Sequence, residues 1–526
     1  MNEAYESGIS FAREKFGPAY IAPAPGKACS GFAAGRKATK NGHTLCCYTS
    51  DGISDFRVRL IPAADHAEGE EYVIDYNGID GGFGHDARGR VPQVPHTYKW
   101  FDSEVPFANE KQVFISENTC ASREEMSNLS HDDTLIDWHT LPAIALQRAD
   151  TARKAVKIMG SLIDAYGFRG AAESFLVSDP NEVWVFETVG DSSLWVAERM
   201  PEDCVIFHAN RLRIGEIDFT DGENFLYSDK LVSNALEKGA YTEGEPFNFE
   251  KIYSSNRDSM NCIRREWRAS DLLCPSRGFQ PNASVYPLFL RPEIEVSAQW
   301  VCDVLWRDVL EGTPFDPAQT LVSGPFNTPL RQMVKDGGRG ERYISTSRIA
   351  YATVCESSET DETALTMFAA DTPRTGTYVP LFCGMTQLNG ALTRGSYTKA
   401  DDCLFWSFQR LETLCQVRYR EMHADVRKVF DPFEQEQREK LALVKAEAEK
   451  LMNEGDTVRA CALLTDFSMT QTDKAKAAAD ETLALLFARY RDGEPEGTAS
   501  EEWQARYNES SHAELDKADM ELEYRQ

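Results

Sequence analysis

Any of the thirteen cysteines could in principle do covalent chemistry; the first of them is Cys29, with Asp51 22 positions on. A thiol becomes a strong nucleophile once deprotonated, and a carboxylate nearby can steady a proton or a cation beside it. The thirteen cysteines run from Cys29 to Cys461 without a CxxC pair, so no disulfide framework is visible, and the vicinal Cys46 and Cys47 read as buried strand residues. A second group, His131, Asp132, Asp133, Asp137 and His139, has ligand types suited to zinc or manganese. Its approach, SREEMSNLSHDD, reads as a surface loop anchored by Trp138 and Leu141, so no metal is expected. The sequence holds no GxSxG, HExxH or GxxxxGK[ST] signature and no GxGxxG opening a helix. Gly81, Gly82 and Gly84, like Gly337, Gly338 and Gly340, read as loops, and no cofactor is expected.

Positioning Cys29 requires regular structure on both sides of it. Phe32, Ala33 and Ala34, then Thr44 to Tyr48, form two apolar runs separated by Lys40, Asn41 and Gly42. Asn and Gly supply the positive backbone angles of a tight primed turn, so the spacing predicts a hairpin with Cys29 at its start and Asp51 at its end. Residues 143–167 carry apolar side chains at helical spacing and end on Gly167. Strands are expected over Phe175 to Val177, Val183 to Phe186 and Leu194 to Ala197, punctuated by turn residues. From about residue 432 the texture turns to Glu, Lys, Ala and Leu, predicting peripheral helices, one near Lys474 to Tyr490, before an acidic tail.

With 526 residues, 42% of them hydrophobic, the chain can bury a large core. Its 84 acidic against 56 basic side chains give a net charge of −28, which argues against nucleic acid and anionic membranes as partners. No segment approaches the about 20 apolar residues of a membrane span. The unpaired cysteines favour a reducing compartment, the cytoplasm. Residues 1–28 lack the apolar core of a signal peptide, and Pro23, Pro25 and Gly26 make the run up to Cys29 a poor helix or strand, so it reads as an exposed leader.

Several segments resemble the dipeptidases of peptidase family C69, which are N-terminal-nucleophile hydrolases related to penicillin V acylase and bile salt hydrolase. The resemblance starts with CSGFAAGRKATKNGHTLCCYTSDG at residues 29–52 and continues in VPQVPHTYKWF at 91–101, ANEKQVFISENTC at 108–120, and AESFLVSDPNEVWVFET with LWVAERMPED across 172–203. FHANRLRI at 207–214, more weakly IRREW at 263–267, and YVPLFCGMTQ at 378–387 complete it, in the expected order.

The resemblance implies an α+β fold, a four-layer αββα sandwich whose nucleophile begins a central strand. It implies four divisions: a leader at 1–28 removed by autocatalysis, a catalytic body at 29–430, C-terminal helices at 431–493 packed on it, and an acidic tail at 494–526. By the same resemblance Cys29 is the nucleophile and, once its amine is freed, its own base; an amine of ordinary pKa about 7.7 to 8.0 accepts a proton at neutral pH. Asp51 then holds the amine and thiol, Asn109 and Asn210 bind the oxyanion and orient substrate, and Arg265 lines the site, with Arg264 as the rival alignment. The substrates implied are short peptides, and a homo-oligomer stays open.

One departure stands out: Tyr48 occupies the position three before the aspartate where acylase relatives carry an arginine, and a tyrosine offers no fixed charge or bidentate fork. Two other readings are an acylase that cleaves a non-peptide amide and a noncatalytic protein resembling the secernins. A start site nearer Cys29 would leave the same mature chain.

Overall fold

The computed structural model describes residues 28–52, 54–75, 88–283, 285–320, 323–329, 342–396 and 400–491, then 501, 503–505 and 507–509. Residues 1–27 of the expected leader, the six loop glycines and most of the acidic tail lie outside these residues.

Fourteen of the strands form two antiparallel sheets. They are β1 (Ala28–Ala34), β2 (Leu45–Asp51), β3 (Arg59–Ile61), β4 (Trp100–Asp102), β5 (Ala108–Asn109), β6 (Phe114–Thr119), β7 (Glu173–Ser178), β8 (Val183–Thr188), β9 (Trp195–Arg199), β10 (Val205–His208), β11 (Phe225–Tyr227), β12 (Ile349–Glu356), β13 (Leu365–Ala370) and β14 (Val379–Phe382). One sheet runs β10-β1-β2-β12-β13-β14 and the other β11-β9-β8-β7-β6-β5-β4-β3. The α+β expectation holds.

The period-2 pattern of the strands decides how the sheets stack. Cys29, Ala33, Cys46 and Tyr48 of β1 and β2 share a core with Phe114, Leu176, Val183, Val185 and Val196 of the other sheet. Their alternates Phe32, Ala34, Leu45 and Cys47 point the other way, onto Cys262, Ala269 and Leu273 of α3 (Met260–Leu273) and Val301 of α4 (Ala298–Asp303). On the far side of the second sheet, Phe175, Val177, Trp184 and Phe186 meet α1 (Thr140–Arg148) and α2 (Ala152–Tyr166). The sheets approach closely at Gly31, where a Cβ would fall 2.5 Å from Asn118 Oδ1.

Two local expectations change. The periodicity over 143–167 is one amphipathic face shared by two helices, because Thr151 caps α2 by accepting from Lys154 N and Asp179 Oδ2 accepts from Ala152 N. The β1–β2 hairpin forms, but its connection runs over residues 35–44 in place of a tight primed turn. Gly42 has φ +78°, while Gly35 and Lys37 donate backbone bonds to Cys204 and Glu202 and Lys40 to Val296, drawing the loop onto its neighbours.

The C-terminal helices are longer than the composition suggests. α5 (Leu404–Cys415) is followed by α6 (Tyr419–Asn453) and α7 (Thr457–Arg489), which pack on each other and, through α7, on β14. A boundary at 430/431 falls inside α6, whose Phe430 and Leu451 belong to the same core as Cys29. No helix among the described residues is long and apolar enough to cross a membrane.

Candidate active site

Two strand registers build the site around Cys29. In the β1–β2 pair Ala28 faces Asp51 and Cys29 faces Ser50. On the other edge of β1, Gly31 faces His208, so continuing that antiparallel register two residues brings Asn210 alongside Cys29. The Cys29 N–H donates to Asn210 Oδ1 at 3.3 Å.

Arg265 enters from α3, on the helix face that it shares with Cys262 and Ala269. Its guanidinium donates to the Cys29 carbonyl at 2.5 Å, to Ser30 Oγ at 3.0 Å and to Asn210 Oδ1 at 2.7 Å. Nε holds the Asn261 carbonyl at 2.9 Å, which fixes the fork. Arg264 turns away, stacking on Phe315 and donating to the Pro281 carbonyl. Asn210 is itself braced, its Nδ2 donating to Thr119 O at 2.9 Å.

The thiol faces the space between the sheets. Cys29 Sγ lies 3.1 Å from Tyr48 Oη and 3.6 Å from Glu117 Oε2, and Tyr48 Oη donates to the same Glu117 oxygen at 3.1 Å. Thr119 Oγ1 donates to the other Glu117 oxygen at 2.8 Å. Burial first, then the carboxylates of Glu117 and Asp51, push the Cys29 thiol well above its ordinary value, while the hydrogen bond with Tyr48 pulls the other way. A thiol so placed is neutral near pH 7 and needs a base.

Asp51 is buried at the end of β2 and pairs with Arg342 through Oδ2, leaving Oδ1 without a hydrogen-bond partner among the described residues. Burial raises its carboxyl against the lowering pull of Arg342 and Arg265. The structure thus gathers Cys29, Asp51, Asn210 and Arg265 around the start of β1.

Asn109 is placed differently. Its Nδ2 donates to the carbonyls of Leu146 and Ala149, and its Oδ1 accepts from Lys111 N and Val113 N. It ties the β5–β6 turn to the end of α1, and none of its hydrogen bonds goes to the Cys29 cluster. The asparagine that β6 presents across from β1 is Asn118, packed against Gly31, with neither amide atom hydrogen-bonded among the described residues.

Sequence reasoning missed Glu117, Asn118 and Arg342. Glu117 and Asn118 carried a signal, as polar residues closing the apolar strand FISENT; Arg342 did not, since its partner lies 291 positions away. The five residues suited to a metal disperse: His131 meets Asp191, His139 meets Asp102, Asp137 caps α1 and pairs with Arg88, and Asp132 and Asp133 lie exposed on a short turn. Among the described residues no three His, Cys, Asp or Glu side chains are arranged to hold a metal.

The model of a family described as Peptidase family C69 matches residues 28–431. A probable dipeptidase of Latilactobacillus sakei is 27% identical over 308 residues, covering 55% of this chain and 62% of its own length. One of Salmonella dublin is 32% identical over 191 residues, covering 35% and 43%. A probable dipeptidase A of Streptococcus pyogenes serotype M3 (strain SSI-1) is 22% identical over 419 residues, covering 76% and 85%. The chain thus spans less than two thirds of the length of the first two relatives.

Proposed function

Since the chain belongs to peptidase family C69, we propose that it is a dipeptidase that uses Cys29 as an N-terminal nucleophile. The two stacked sheets with helices on their outer faces support reading the body as the four-layer sandwich of that class. The observation that carries the proposal is the shared contact on Asn210 Oδ1, which accepts from both Cys29 N and Arg265 and so fixes the nitrogen that must become the base.

Processing comes first, because an amide nitrogen is not a base. The Cys29 thiol attacks the Ala28 carbonyl, the C–N bond breaks, and the proton passes to the departing nitrogen. Water then hydrolyses the thioester, releasing residues 1–28 as a carboxylic acid. Asp51, directly across from Ala28, faces the new amine with an oxygen to spare.

In the mature site the amine takes the thiol proton as sulfur attacks the scissile carbonyl, then delivers it to the leaving nitrogen. Water, deprotonated by the same amine, resolves the acyl-thioester. Asn118 brings an uncommitted amide to the region where the oxyanion develops, the part that sequence alone gave to Asn109. Arg265 keeps the nucleophile's backbone in register. The catalytic body then includes α6 and α7, because their apolar faces share its core.

Intact mass and amino-terminal sequencing of the wild-type protein and Cys29→Ala test this reading, together with dipeptide hydrolysis. Wild type beginning at Cys29 and a variant that keeps residues 1–28 support it. Both proteins keeping those residues, with no dipeptide cleaved, overturns it.

A further inference from the structure

We propose that Glu117 sets the specificity of this site by binding the free α-ammonium of the substrate. The inference rests on Cys29 being the nucleophile, and it names the substrate group that the site recognises.

Bond geometry supplies the argument. In a dipeptide the α-nitrogen is two bonds from the scissile carbonyl carbon, and that carbon must come within about 3 to 3.5 Å of sulfur to react. The ammonium is therefore held within a few ångströms of Sγ, and its acceptor must stand close to the nucleophile. Glu117 Oε2 stands 3.6 Å from Cys29 Sγ.

Its surroundings fit a cation receptor. Glu117 is 3% exposed, and its hydrogen-bond partners are neutral: Oε1 accepts from Thr119 and keeps a further lone pair, while Oε2 accepts from Tyr48 and from the Cys29 thiol, whose proton leaves as sulfur attacks. Among the described residues it forms no salt bridge. A buried carboxylate with neutral partners is costly until a cation joins it. Asp51 pairs with Arg342 and lies across from Ala28, beside the new amine of Cys29, which also has an acceptor in Asn210 Oδ1. A carboxylate beside the sulfur also opposes thiolate formation, so an arriving ammonium would relieve the nucleophile it approaches.

The test compares alanyl-p-nitroanilide with propionyl-p-nitroanilide, which differ only in the α-amine, on wild type and Glu117→Gln, both verified to begin at Cys29. Wild type is expected to prefer the alanyl amide by about 10- to 100-fold in kcat/KM, the scale of a charge-assisted contact. Glu117→Gln should lose most of that preference through KM, with the propionyl rate equal or higher. A preference unchanged in the variant overturns the role of Glu117 and leaves the dipeptidase reading intact, whereas a wild type that favours the propionyl amide overturns both. Wild type alone gives a second measure: alaninamide should protect Cys29 from iodoacetamide and propionamide should not, and equal protection overturns the proposal.

Discussion

Tyr48 Oη lies 3.1 Å from Cys29 Sγ, so the side chain at the position where the family resemblance implies an arginine touches the proposed nucleophile directly. Once sulfur is ionised the single phenol proton can turn to it from Glu117, and that bond favours the thiolate, so its removal raises the thiol further. Tyr48→Phe is expected to move the pH profile of iodoacetamide labelling at Cys29 to higher pH. At a fixed pH below that of half-ionisation the rate should fall about 10-fold, the worth of one hydrogen bond of about 1.5 kcal/mol.

Glu117→Gln should move the same profile the other way. Glu117 raises the thiol by its negative charge, so neutralising it makes the thiolate easier to form and labelling at neutral pH faster. Both variants moving in one direction would mean that the carboxylate and the phenol do not act on sulfur separately.

Arg265→Lys keeps the charge and loses the fork. Four acceptors share the guanidinium, and an ammonium on a flexible stem cannot span them. Activity on dipeptides should fall about 10- to 100-fold in kcat, at about 1.5 to 3 kcal/mol for a lost charged hydrogen bond, with KM nearly unchanged. A variant with full kcat would remove Arg265 from the machinery.

Asn109→Ala and Asn210→Ala should separate stability from catalysis. The Asn109 amide satisfies four backbone groups, and leaving buried groups unpaired costs about 1 to 3 kcal/mol each, so its loss should lower Tm while kcat persists. Asn210→Ala should depress kcat or processing more than Tm, because its Oδ1 holds the Cys29 nitrogen. Thermal denaturation beside steady-state kinetics distinguishes the two.

Much of this arrangement was legible from local pattern. The two apolar runs Phe32–Ala34 and Thr44–Tyr48 forecast the hairpin, and the strands around Phe175, Val183 and Leu194 fell where β-branched and aromatic residues cluster. The pattern misled where distant partners decide the outcome. Asn41 and Gly42 look like a tight turn, yet backbone bonds to Glu202, Cys204 and Val296 draw the connection out. Apolar spacing runs through 149–151, yet Asp179 and Thr151 start a new helix there. Asn109 matched a motif, but its hydrogen bonds run to α1 and its own turn, while Glu117 and Asn118 of the same segment meet β1 and β2.

The α6–α7 hairpin changes what counts as the folded body. The family model stops at residue 431, within α6, but Ala448, Leu464, Ala475 and Leu486 fill the core that holds Cys29, and Glu434 pairs with Arg307 at 2.6 Å while Gln437 holds the Tyr378 carbonyl. The unit that folds therefore outruns the unit that is shared by descent. A fragment cut at the edge of homology would open that core to water and take Glu434 from Arg307, so a minimal version of this protein keeps both helices and Tyr490, whose hydroxyl donates to Asp425.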